Sequence, residues 1–151
     1  MTSNARPVVE QPHDVDARRM PVMPVLAHAA ALIAALFHVW FFVLESLRFE
    51  QPEVRRRFGL TTPEQASVVR PMAFNQGFYN LFLAVGALGG LGLVATGHGG
   101  AGMILAAWSC ASMLAAAVVL AASSPQMLRG AAIQGLPPFV FLAGAAYLRW
   151  S

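Results

Sequence analysis

A histidine and a glutamate, His38 and Glu45, stand inside a run of apolar residues that opens near Val25 and closes near Leu47. Such side chains exchange protons and accept hydrogen bonds, and hydrocarbon supplies no partner for either. An ionised group at the centre of a bilayer costs roughly 2.5–3.5 kcal/mol on insertion scales, so it faces a partner or a wet cavity. The spacing from His38 to Glu45 is nearly two helical turns, which puts both on one face about 10 Å apart along the axis. That separation rules out direct contact but suits the two ends of one substrate.

A second polar group opens a later apolar run: Asn75-Gln76-Gly77-Phe78-Tyr79-Asn80. On a helix Gln76 and Asn80 share a face, while Asn75 points about 140° away from Asn80. Carboxamides carry donors and acceptors that lipid leaves unsatisfied, which favours an inward orientation toward His38 or Glu45. Gln134 adds one more amide, followed by Pro137-Pro138. These prolines lack the N–H groups that would bond the carbonyls of Ile133 and Gln134, so a kink with free acceptors is expected there. The candidate ligand-binding residues are therefore His38, Glu45, Asn75, Gln76, Asn80 and Gln134.

Four apolar segments must position these groups, at about residues 24–47, 72–96, 101–122 and 130–150. Each is long enough for a hydrocarbon core that needs about 20 apolar residues, and each is bounded by proline, glycine or charge. Lone strands cannot satisfy their backbone in lipid, so the expected fold is all-α, a four-helix transmembrane bundle. The turn Gly97-His98-Gly99-Gly100 and the link from Ser123 to Arg129 are short, which makes neighbouring helices antiparallel. Alternation then puts Glu45, the amides of segment two and Gln134 at similar depth, with His38 nearer the midplane. Gly86 and Gly90 are expected to meet a stripe of Ala107, Ala111 and Ala115.

Composition agrees with a multi-pass membrane protein. Only 11% of residues are charged, against about 25% in a typical soluble domain. Residues 1–23 mix charge and proline and read as a disordered tail ahead of the domain at 24–151. Every basic residue is arginine, and these flank the apolar segments, so they read as topology signals rather than a nucleic-acid footprint. Phe58 and Leu60 beside Arg55, Arg56 and Arg57 suit a first connection lying at headgroup level. Cys110 is the lone cysteine and cannot form an intrachain disulfide.

The pattern His38…Glu45, Phe58-Gly59-Leu60-Thr61, Asn75 through Ala84 and Gln134-Gly135-Leu136-Pro137 resembles the small membrane proteins of the domain of unknown function 1304 family. The resemblance runs from about His28 to the C-terminus, with Phe49 standing for the aromatic that follows the glutamate and Arg48 a departure. It implies a four-helix membrane fold and no established activity. The residues themselves leave three readings. One is a bundle enclosing a small amphipathic ligand. A second is an isomerase-type enzyme moving protons with Glu45 and His38. The third is an accessory subunit of a larger membrane complex. Polar groups serving only as interhelical fasteners are the structural alternative to all three. A homo-oligomer is also open. No cofactor motif is present, and one histidine with one glutamate falls short of a catalytic zinc site, so no metal is expected.

The arginine excess on the first and third connections puts both in the cytoplasm, most simply of a bacterial plasma membrane, with the termini outside. A reporter-fusion or cysteine-accessibility map is expected to find residue 57 on the cytoplasmic side; labelling from outside would reverse the topology.

Overall fold

A computed structural model describes residues 22–150. The tail expected over 1–23 lies almost wholly outside the described residues; Val22 and Met23 already belong to the first helix. Helix α1 covers Val22–Phe42 and continues as a wider π-type turn, Val43–Leu47. A short α2, Pro52–Arg57, leads to α3, Pro63–Ala95; then come α4, Gly99–Ser123, a 3-10 turn at Pro125–Met127, and α5, Leu128–Trp150. Four helices are long and apolar enough to cross a membrane, and the described residues contain no strand.

The long helices form a closed ring in which α1 touches α3 and α5, while α4 touches α3 and α5. Neighbours run antiparallel. Ala27 at the start of α1 lies against Gly144 near the end of α5, and the end of α1 meets the first half of α3. The inner face of α1 is a seam of Ala27, Ala30, Ala31, Ala34 and Ala35, at the three-and-four spacing of one helical stripe. Against lipid there is no hydrophobic gain from pairing helices, so close backbone approach is what holds them. Outward faces carry Leu36, Phe82, Ile104, Trp108 and Val119, all exposed, as a hydrocarbon solvent requires.

The tightest approach joins α3 and α4. A Cβ added to Gly90 would stand 2.6 Å from the Ala106 amide nitrogen and 2.7 Å from the Gly102 carbonyl. Because neither residue at this crossing has room for a side chain, it fixes the rotation of α4. The buried stripe is consequently Gly102, Ala106, Cys110, Met113 and Ala117, not the expected Ala107, Ala111 and Ala115; Ala111 and Ala115 are exposed.

One further expectation changes. Helix α3 begins at Pro63 rather than near Met72, because Thr62 and Gln65 form a reciprocal cap and Pro63 occupies the first turn. Pro71 is then carried inside the helix. Helix α5 contains Pro137 and Pro138, as the single segment at about 130–150 anticipated, with Pro138 fully buried among its neighbours.

Replacing Gly90 by Ala should destabilise the bundle by about 1–3 kcal/mol, the scale of overpacking against atoms that cannot move. Gly92→Ala, where a Cβ meets nothing within 4 Å, should be neutral or gain up to about 1 kcal/mol of helix propensity. Thermal unfolding in detergent distinguishes the pair; equal effects would contradict the crossing.

Candidate functional site

Glu45 sits on the π turn. The Arg48 amide donates to the Val43 carbonyl at 2.9 Å, five residues back, so the chain here takes a wider turn than an α-helix. This widened turn presses its backbone against α3, and only Gly77 can receive it. A Cβ on Gly77 would collide with Ser46 Oγ and come within 3.2 Å of Glu45 Cβ. Ser46 Oγ donates to the Phe74 carbonyl at 2.9 Å, locking the register. Edge-to-face packing of Phe42 on Phe78, at 5.1 Å between ring centres, fastens the same two helices alongside.

With that register set, Asn80 Nδ2 donates to Glu45 Oε2 at 2.8 Å. Asn80 is buried and Glu45 half-buried. Gln134 on α5 donates a longer bond, 3.4 Å, to the Met113 carbonyl of α4. Glu45, Gln76, Asn80 and Gln134 all line one cavity of about 820 Å³.

The cavity has a graded lining. By chain position along the bundle, Phe37, Trp40 and Phe41 of α1 wall its inner end, Glu45 with Gln76, Asn80 and Gln134 forms its middle, and Arg56 and Arg57 of α2, with Gln126, stand at the loop end. Phe37 and Glu45 are eight residues apart, so on α-helical geometry the apolar end lies about 12 Å deeper than the carboxyl. The arginines reach the site because α2 folds back. Val54 is buried, Phe49 packs on Phe58 at 5.5 Å, and Phe58 and Leu60 rest on Phe49, Ala66 and Ala73. A smaller cleft of about 220 Å³, between Ser46, Arg48, Glu50 and Arg70, also reaches Glu45.

Two candidates lie elsewhere. His38 is fully buried in line with the α1 alanine seam and does not line the cavity; its Nδ1 is 2.8 Å from the Ala34 carbonyl. Its Nε2 has no hydrogen-bond partner among the described residues. Asn75 is exposed and lines neither opening, the outcome of its angular offset from Asn80. Among the described residues, no three His, Cys, Asp or Glu side chains gather as a metal site would need. Reasoning from the sequence did not single out Ser46 or Gly77. Glycine between Gln76 and Asn80 was the available signal, since Gly inside a polar helical stretch marks close backbone approach.

A family model for proteins of unknown function (DUF1304) matches residues 32–146. The chain belongs to the DUF1304 family. The matched span takes in α2, Glu45, Gly77, Asn80 and Gln134, so the whole cavity belongs to the part of the chain that the DUF1304 family shares. No curated protein and no solved structure matches the chain.

The Glu45–Asn80 bond should be visible as energetic coupling. Asn80→Ala leaves the carboxyl without its donor, and a double-mutant cycle with Glu45→Ala, which removes the acceptor, should give a coupling of about 0.6 kcal/mol and at most about 1.7 kcal/mol, the mean and maximum measured for interhelical bonds in lipid. Strict additivity of the two changes would show that the bond contributes nothing.

Proposed function

We propose that this DUF1304 protein is a multi-pass membrane protein whose bundle binds a small amphipathic ligand in the large cavity. The observation that carries the reading is the convergence of one acid and three amides from three helices on a cavity whose inner end is aromatic and apolar. Binding sites of this kind are largely apolar with a few fixed polar groups, and about 300–1,000 Å³ is their usual size. Polar groups used only as fasteners would leave no reason for such a volume beside them. The ligand's hydrocarbon end lies against Phe37, Trp40 and Phe41, and its polar linkage bonds Glu45, Asn80, Gln76 and Gln134. The arginine excess supports an opening toward the cytoplasmic side.

Proton transfer at Glu45 is the second reading, favoured by one observation. The carboxyl borders both the large cavity and the smaller polar cleft, a position from which it could exchange protons with water while facing a substrate. His38, the other proton-transfer candidate, lines neither opening; its Nδ1 is bonded to the Ala34 carbonyl and its Nε2 has no hydrogen-bond partner among the described residues.

Native mass spectrometry and lipid extraction of the full chain, purified in mild detergent, test the main reading. The expected result is a copurifying alkyl-chain compound, retained about tenfold less by Ala116→Trp, which fills the cavity wall without adding charge. Circular dichroism and thermal unfolding establish that the variant is folded. An empty protein would contradict the reading, and a stable protein partner in place of a ligand would favour an accessory subunit. Should an activity be found, its survival in Glu45→Gln would discredit proton chemistry.

A further inference from the structure

The lining of the cavity changes character along the bundle axis, and the order constrains the ligand further. Its inner end is apolar, its middle is neutral or acidic, and its mouth carries the Arg56 and Arg57 side chains. Glu45 is the one acid in the lining, and it is already bonded by Asn80. Arg56 Nε donates to the Pro52 carbonyl at 3.1 Å, which steadies the guanidinium while leaving its outer N–H groups available. Among the described residues the one ion pair is Arg70 with Glu50, so neither mouth arginine has a carboxylate partner.

Guanidinium groups at the rim of a low-dielectric cavity attract an anion and can hold it by charge-assisted bonds. The carboxyl farther in is already bonded by Asn80, and Arg56 and Arg57 are the only basic residues in the lining, so the anion's place is beside them. We infer that the ligand is an anionic amphiphile, bound head outward with its phosphate or carboxylate on Arg56 and Arg57 and its chain toward Phe37. The inference rests on the amphiphile reading above. A membrane phospholipid and a free single-chain acid share this chemistry.

The test uses the full chain in neutral detergent, with native mass spectrometry against phosphatidylglycerol, phosphatidylcholine, a long-chain fatty acid and inorganic phosphate. Arg56→Gln/Arg57→Gln is compared with Arg55→Gln/Arg129→Gln, which removes the same charge from residues outside the cavity lining. The wild type should prefer an anionic over a zwitterionic amphiphile by about tenfold, the scale of one charge-assisted hydrogen bond. That preference should vanish in the first double variant and survive in the second. Retention of the two-chain lipid alone would identify a membrane source, and retention of the fatty acid alone a free one; both support the inference. Equal loss in both double variants would mean diffuse surface attraction and overturn it. Phosphate bound without any amphiphile would overturn it too. A protein that retains phosphatidylcholine equally well, unchanged by Arg56→Gln/Arg57→Gln, would leave amphiphile binding standing while refuting the anionic head. Retention of no amphiphile would remove both.

Discussion

A carboxyl group below the membrane surface must find a donor or a cavity, and in this protein Glu45 has both. Its bond to Asn80 depends on the two helix backbones coming close enough for short side chains to meet. That approach is made by two local features, the widened turn at Val43–Leu47 and the missing side chain at Gly77. A helix of uniform α geometry against any larger residue would hold the carboxyl away from α3. The polar contact is thus a consequence of backbone packing, and the cavity is bounded by what that packing leaves apart.

The same physics runs through the bundle. Lipid gives helices no hydrophobic reason to pair, so contact surfaces are built from alanine and glycine, and bulky side chains face outward. Gly90 and Gly102 bring α3 and α4 into backbone contact toward one end, whereas toward the other Arg56 and Arg57 of α2 line the cavity. Helix α1 spans both regions, with buried alanines through Ala35 and then Phe37, Trp40 and Phe41 on the cavity.

Much of this was legible in the residues. Length and hydropathy marked four spans, and short turns required antiparallel neighbours. Alternation of direction alone brought Glu45, Gln76, Asn80 and Gln134 to one depth, and the 140° offset of Asn75 already set it apart from Asn80. Rotation about helix axes was not legible. The stripe on α4 was misjudged because the Gly90–Gly102 contact, not the alanine spacing, decides which face turns inward. His38 lies with the buried alanine seam while Glu45 sits on the wider turn at the cavity, and nothing in Val43-Leu44-Glu45-Ser46-Leu47 announces such a turn. The early start of α3 did have a signal, since Thr62-Pro63-Glu64-Gln65 is a capping sequence that apolar-run counting passes over. The arginines of α2 reach the cavity through the Phe49–Phe58 contact, a tertiary event no linear pattern encodes.

The central claim is that the Glu45 carboxyl turns inward to Asn80 within the folded bundle. Solid-state NMR distance recoupling in lipid bilayers, between ¹³C-carboxyl glutamate and ¹⁵N side-chain asparagine, addresses it with Glu45→Gln as the difference control. The account predicts strong dephasing at hydrogen-bond range that disappears in the Asn80→Ala variant. A Glu45 signal with no dephasing from asparagine, in protein that is otherwise folded, would contradict it.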